Sequence, residues 1–574
     1  MAQALAAATG YYAAPFAACE LGNVTLCAPL EAGQATVALV YNAQGQGLAG
    51  APVRLAAGFP PGVVTWAVLD AAGAPVTAQV VPLSPRDAEL RAQYNASSAA
   101  PVQWLCFVAA ALPPAGYAAF FLLPVNATQG APSTHASALS PMPPDGSDGT
   151  ITNGRVTLTI AAATGLVSAY ADAATGVALP LAQSWAAYEG FNGLSALNGS
   201  TVASGAYIFR PARSTPDALA PPGQPAQVTL VTGPVVSEAQ STLAYVSATA
   251  RLWAGAGEDG RVEFEYTVGP VDVRGNASRE VVARYSSGLA SGGAWRSDAN
   301  CRESQPRLRN ARGNWSAVGL AEEPVAANYY PAACLATLAS SSLTLAVAVD
   351  SAQGCTSLAD GQLELMVHRR MMHLDGREPL HRELPLNEPG VDGRGLVVRG
   401  RLWVVAAPAA LAAPAAKALA QQALAAPSQQ GAVFFAGLQG ITPAQWAGAF
   451  RARGSLLRAP LPPNLHLATV HVLGPSTWLV RLAHLYEAGE DAALSGEARV
   501  DLATLFAGST VTAAEDMALP GALPLAAVRS TRYVTEGGLN VTGPALPAAP
   551  AGAGLTVTMT AMQIRTFRCT VAPA

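Results

Sequence analysis

Lysine is nearly missing from this chain: Lys417 stands against thirty-two arginines in 574 residues. Charge of either sign is scarce, at 12%, and the formal net charge is −4. There is thus no basic excess for nucleic acid and no polybasic run for an anionic membrane. The seven cysteines include no C-x-x-C pair, which argues against zinc ribbons and dithiol redox motifs. The first 22 residues, MAQALAAATGYYAAPFAACELG, have no basic leader and no clean apolar run, so they do not read as a signal peptide. No internal repeat recurs at a fixed period. Alanine, glycine, proline and arginine are abundant, as a GC-rich coding sequence would produce, and that bias carries no functional weight.

One long uncharged run remains. Residues 102–125 (VQWLCFVAAALPPAGYAAFFLLPV) are long enough to cross a bilayer. Pro113, Pro114 and Gly116 break the run at its centre, so it reads as two buried strands joined by a turn. No membrane span is expected. Cys106 within it reads as a small buried hydrophobe.

Other features point to a secretory lumen. Asn-x-Ser/Thr occurs at Asn23, Asn95, Asn126, Asn198, Asn276, Asn314 and Asn540, among only fifteen asparagines. Chance would give about two such sites at this Ser/Thr content, so these read as glycosylation acceptors. Cys19 and Cys27 close a short loop around the first of them, and they are the expected disulfide in an oxidising compartment. A lumenal chain without its own leader leads to the expectation that the natural start lies upstream.

Period-two segments dominate: residues 36–41 (TVALVY), 155–160 (RVTLTI), 262–267 (VEFEYT), 343–349 (LTLAVAV), 363–369 (LELMVHR), 477–486 (TWLVRLAHLY) and 555–567 (LTVTMTAMQIRTF). Such strands, with few helical stretches, predict a mainly β protein of tandem sandwiches. Residues 409–426 have helix-forming composition interrupted by Pro414 and predict a short helical connector. Residues 128–149 and 544–554 are rich in Pro, Gly and Ser and read as boundaries.

Against this background, residues 364–401 carry thirteen charged groups in thirty-eight, with His368, His373 and His381. A strand delivers Arg369 and Arg370 into a polar loop. Guanidinium groups offer forked donors suited to carboxylates and sugar hydroxyls. The island reads either as the rim of a binding site or as a solvated loop of surface ion pairs. Glu322–Glu323, Glu490–Asp491 and Glu515–Asp516 are adjacent carboxylates and read as solvated loop groups.

At this island the chain resembles glycoside hydrolase family 38, the class II α-mannosidases, and most of all their lysosomal branch. The residues that carry the resemblance are LELMVHRR followed by DGR, together with SGAYIFRP (204–211), VEFEYTVGP (262–270), PVAANYYP (324–331), GED (489–491) and IRTF (564–567), all in family order. The early Cys loop and VALVYN (37–42) extend it over nearly the whole chain. The resemblance implies the β-rich C-terminal half of such an enzyme, without the catalytic domain. Its expected organisation is 1–30, the end of a helical domain; 31–127, a small β-sandwich; 128–149, a linker; 150–408, a large sandwich of galactose-mutarotase type; 409–430, the helical connector; and 431–574, a C-terminal sandwich.

The resemblance also implies function. The intact enzyme would cleave terminal α-linked mannose from N-glycan-type oligosaccharides with retention. Retention calls for two carboxylates about 5 Å apart; none is nominated in this chain, and the family's zinc is expected in the intact enzyme but not bound by this chain alone. His373-Leu374-Asp375 spells H-x-D, but it falls in a C-terminal loop and lacks further ligands at metal spacing. The chain is expected to supply scaffold and pocket rim, with Tyr207, Arg369, Arg370 and Asp375 as substrate-binding groups and Tyr329 and Tyr330 as supports. Spacing does not settle which arginine faces the sugar, because neighbours on a strand point oppositely. Met371-Met372-His373 occupies the stretch before DGR where relatives carry acidic residues. Expected partners are a mannose-containing oligosaccharide and the catalytic half of the same enzyme. The expected location is a vacuolar, lysosomal or extracellular lumen, with the Golgi lumen as alternative. A different reading, a free-standing carbohydrate-binding β-sandwich without catalysis, stays open.

Overall fold

The computed structural model describes residues 2–94, 100–128, 133–194, 197, 200–221, 223–255, 260–374, 385–429, 432–529, 532–534, 536, 538, 540–542 and 554–574. The protein is mainly β, with several antiparallel sheets and few helices. It forms two compact units. The larger comprises Met1–Leu39, Ala49–Ala110 and Ala119–Phe450; the smaller comprises Val40–Leu48, Ala111–Ala118 and Arg451–Ala574.

The larger unit is built on two broad sheets packed face to face. One has ten strands, with Val246–Trp253, Val262–Val268, Val398–Pro408 and Leu343–Val349 adjacent near its middle. The other has six strands, in the order Asp217–Ala218, Ala182–Glu189, Arg279–Ser286, Gln362–Arg370, Gln353–Thr356 and Tyr330–Ala332. Alternation explains the packing. Val281, Ala283 and Tyr285 turn inward with Leu363 and Leu365 to meet Phe264, Tyr266, Val347, Leu402 and Val404 in one apolar core. A four-stranded sheet, from Gly149–Thr152 to Val177–Pro180, closes the same core with Ile151, Leu158, Ile160 and Tyr170.

The uncharged 102–125 run is two strands, Val102–Leu112 and Gly116–Val125, which belong to different sheets. Among the described residues, no helix is long and apolar enough to cross a membrane. The 409–426 segment is a 3-10 turn, Ala409–Leu411, followed by the helix Ala412–Gln429. Pro414 falls in the first turn of that helix, where its missing N–H breaks no helical bond. The 128–149 segment contains two short strands. Thr134–Ala136 pairs with Ala78–Pro82, and Ala138–Pro141 forms an edge of the ten-stranded sheet.

The smaller unit carries a four-stranded sheet of Leu465–Gly474, Thr477–His484, Ile564–Pro573 and Ser509–Met517. Leu465, Val480, Leu482, Val511, Phe567 and Val571 form its core.

Cys19 and Cys27 are bonded, as expected. A second disulfide joins Cys301 to Cys334. Cys106, Cys355 and Cys569 are free and buried.

The inward face of the six-stranded sheet sets a stability test. Leu365 is fully buried between the two large sheets. Leu365→Ala is expected to cost about 2–5 kcal/mol, the usual range for a buried leucine that leaves a cavity. A urea titration would read this as a lower midpoint.

Candidate functional site

The outer face of the six-stranded sheet brings together Arg369, Tyr329 and the turn that carries Tyr207. Here a row of polar groups replaces the apolar alternation. Glu364 is completely buried. One of its carboxylate oxygens accepts from the Tyr188 hydroxyl at 3.0 Å and from the Tyr329 hydroxyl, and the other accepts from Arg284. Arg284 also donates to the Tyr188 oxygen at 3.2 Å. Burial and the Glu364 charge together hold both tyrosines protonated, well above their ordinary range.

Phe209, from the SGAYIFRP segment, rests on this network. Its ring meets Tyr188 edge-on at 5.5 Å and Tyr329 at 5.3 Å. The neighbouring Arg210 pairs with Glu323 and also donates to the Ser200 hydroxyl at 2.7 Å and the Val202 carbonyl at 2.9 Å. Between these anchors and Ser204 the chain makes a tight turn. The Gly205 N–H and the Ser204 hydroxyl both donate to the Ile208 carbonyl, each at 3.1 Å. The Ser204 oxygen accepts from the Arg210 N–H at 3.2 Å. Tyr207 sits at the tip of the turn and is 78% exposed.

Arg369 reaches this turn from the sheet. Its guanidinium donates to the Ala206 carbonyl at 3.1 Å and to the Ile208 carbonyl at 3.3 Å, the two carbonyls that flank Tyr207. Its Nε lies 2.9 Å from the Glu280 carboxylate, close in charge but off the hydrogen-bond axis. Burial pushes the Glu280 carboxyl up to about 7, against the pull of the Arg369 charge.

Arg370 points the other way, into the loops that follow. It donates to the Asn387 side chain at 2.7 Å, the Val271 carbonyl at 2.8 Å and the Arg394 carbonyl at 2.6 Å. Gly395 has φ +126°, and a Cβ there would lie 2.5 Å from the Arg370 guanidinium, so only glycine admits this approach. The structure thus brings Tyr207 and Arg369 together and holds Arg370 on the opposite face of the strand. Tyr330 lies apart from Tyr329, with Arg307 4.3 Å and Arg312 4.4 Å from its ring centre.

Asp375 lies outside the described residues, as do Asn95 and Asn198. His373 bonds the Asn276 carbonyl at 3.0 Å. Of the other acceptor asparagines, Asn23, Asn126, Asn276 and Asn314 are exposed. The adjacent carboxylate pairs make local contacts: Glu323 with Arg210, Glu515 with Arg568, Asp516 with Arg565, and Glu490 and Asp491 with nearby backbone N–H groups. Asp298, Cys301 and Cys334 lie within metal-ligand reach of one another. The two sulfurs are joined in a disulfide, however, and the Asp298 oxygens accept the N–H groups of Cys301, Cys334 and Leu335. That set does not fit a zinc ion, whose cysteine ligands must be free thiolates.

Glu280, Phe209 and the structural role of Glu364 did not stand out in the sequence. The available signal was a glutamate inside a strand segment, otherwise apolar in LELMV for Glu364 but shared with Arg279 and Arg284 in REVVARY for Glu280.

The comparisons with known proteins agree with this architecture. The family model for the glycosyl hydrolases family 38 C-terminal domain matches residues 151–377, which include both Arg369 and the turn whose carbonyls it holds. Human lysosomal alpha-mannosidase is 31% identical over 97% of this chain and 51% of its own length. The bovine protein of that name is 34% identical over 71% of this chain and 38% of its own length. The alpha-mannosidase of Canavalia ensiformis is 28% identical over 97% of this chain and 55% of its own. The crystal structure of an alpha-mannosidase from Enterococcus faecalis shares the fold at a TM-score of 0.57 and 12% identity, over 95% of this chain and 56% of that one. The chain belongs to glycoside hydrolase family 38. It spans about half the length, or less, of these curated relatives.

Buried carboxyls give the protein a definite pH response. Burial raises Glu280 and Glu238 each to about 7, whereas a carboxyl in the unfolded chain titrates near about 4.3. Their contribution to stability is fully present below the unfolded value and is lost as pH rises through about 7. Glu31 and Asp172 are held low, by Arg91 and Arg155 respectively, and lose their contribution on stronger acidification. Calorimetry is expected to show a higher unfolding temperature at pH 5 than at pH 8, with a fall again below about pH 4. The double variant Glu238→Gln, Glu280→Gln should flatten the neutral limb.

Proposed function

We propose that this chain is the C-terminal portion of a retaining α-mannosidase that acts on terminal α-linked mannose of N-glycan-type oligosaccharides. It supplies β scaffold and one rim of the sugar pocket. The observation that carries this reading is Tyr207, an exposed phenol displayed on a turn that is anchored from several sides. A phenolic hydroxyl both donates and accepts, so it can bond a sugar hydroxyl or the leaving-group oxygen. Arg369 joins this rim through the turn that carries Tyr207, and the family resemblance assigns Asp375 to it; Arg370, on the opposite face of its strand, is taken up by Asn387 and the Val271 and Arg394 carbonyls. The likeness to lysosomal alpha-mannosidases along almost the whole chain supports the substrate class. Catalysis belongs to the enzyme assembled with its catalytic half, and zinc to that half. The exposed acceptor asparagines and the two disulfides support a lumenal compartment, vacuolar or lysosomal.

Two measurements test the reading. Purified alone, the chain should not hydrolyse 4-nitrophenyl α-mannoside, with or without added zinc; chelator-sensitive turnover would overturn the division of labour. In the assembled enzyme, Tyr207→Phe should lower kcat/KM about tenfold or more, the loss expected for one hydrogen bond to substrate. Unchanged kinetics would remove Tyr207 from the pocket.

A further inference from the structure

We propose that Arg369 serves the pocket through Tyr207, as the clamp of the 204–208 turn, and that Glu280 is the positioning residue that holds the clamp. This rests on the reading of Tyr207 as a sugar-facing group and adds how that group is placed.

The geometry of the guanidinium carries the argument. Its two terminal nitrogens take the carbonyls of Ala206 and Ile208, one on each side of Tyr207. A planar fork spans two acceptors at fixed separation, which a lysine ammonium on a flexible stem does not. The Ile208 carbonyl also receives the Gly205 N–H and the Ser204 hydroxyl. The clamp therefore closes on the same atom that closes the turn. A tyrosine at the tip of such a turn has little backbone freedom left, so its hydroxyl sweeps a smaller volume.

Glu280 explains why the fork stays in place. It lies directly across from Arg369 in the strand register and is 2% exposed. Its strand, Arg279–Ser286, is paired on both sides, by Ala182–Glu189 and Gln362–Arg370. The Arg369 side chain keeps 26% of its surface and rises from that buried base toward the turn. Arg279, one residue earlier, pairs with Glu189 instead, 3.1 Å away. A pair in this setting adds little net stability, since desolvation offsets attraction. Its effect is to specify position.

Amide hydrogen exchange, read by mass spectrometry on the 574-residue chain at pH 7.5, tests the proposal. In Arg369→Gln the amides of residues 204–212 should exchange about tenfold faster, and in Glu280→Gln several-fold faster. Peptides from the Val281–Ser286 and Gln362–His368 segments should keep wild-type rates. Arg369→Lys retains the charge for Glu280 but loses the fork, and should behave like Arg369→Gln. It also carries the test if Arg369→Gln does not fold. Wild-type exchange at 204–212 would overturn the clamp. An equal rise across the whole six-stranded sheet would do so too, by showing a general structural role. Tyr207→Phe should leave the turn protected. If that variant also leaves the kinetics of the assembled enzyme unchanged, the pocket reading fails while the clamp stands. If the turn stays protected in the Arg369 variants, the clamp fails and the pocket reading stands.

Discussion

One unpaired residue in one strand decides which charges meet on this protein. Along Gln362–Arg370, Met366 pairs with Val282, but the next pair is His368 with Val281, so Val367 has no partner. Strict alternation would put Arg370 on the face of Glu364 and turn Arg369 toward the Leu363 and Leu365 core. The slip reverses this. Arg369 comes onto the outer face, opposite Glu280, while Val367 packs against the apolar core. The Glu364 network lies before the slip, whereas the meeting of Arg369 with Glu280 and with the turn that shows Tyr207 depends on this local change of register.

The scarcity of charge acquires a meaning on the ten-stranded sheet as well. Many of the few ionic groups are used inside. Arg251 is 3% exposed, pairs with Glu238 and Glu263, and stands across the sheet from both. Arg54, from the Leu48–Gly58 strand, reaches Glu265 at 2.9 Å, and Arg399 reaches Asp87 at 2.6 Å. The first pair joins the four-stranded sheet that contains Leu48–Gly58 to the ten-stranded sheet, and the second joins the helix Pro85–Gln93 to that same large sheet, all within one unit. Guanidinium suits such sites better than ammonium, because it stays charged and offers several donors at once. Whatever the origin of the arginine excess, the fold uses arginine where lysine would fit poorly.

Strand existence was legible because period-two patterns with turn residues at their ends leave little choice. The patterned residues 343–349 match the observed strand at both ends, and 36–41 and 262–267 each lack one residue of it. The period-two pattern makes residues 555–567 one strand, yet they form Thr556–Met559 and the start of Ile564–Pro573. The break falls where Met562 takes a positive φ, +62°, and an apolar residue in that conformation sends no turn signal. The arginine pair was legible as a feature, but its roles were not. Glu280, Phe209 and the slip at Val367 reach Arg369 only through tertiary structure, and pattern reading of one strand cannot see across to the next.

SGAYIFRP is therefore better understood as an attachment to the sheet than as a self-contained loop. Its Phe209 depends on Tyr188 and Tyr329, its Arg210 on Glu323, and its two carbonyls on Arg369. Those partners come from separate places along the chain, so the position of Tyr207 is set only once the six-stranded sheet has assembled. This order also accounts for the buried carboxylates. A glutamate inside a sheet is costly, and nothing in its own strand repays that cost. Glu280 and Glu364 are tolerable because each is met by groups that in turn hold the turn bearing Tyr207. Removing either should loosen the display of that tyrosine before it loosens the apolar core, which lies on the other face of the same strands.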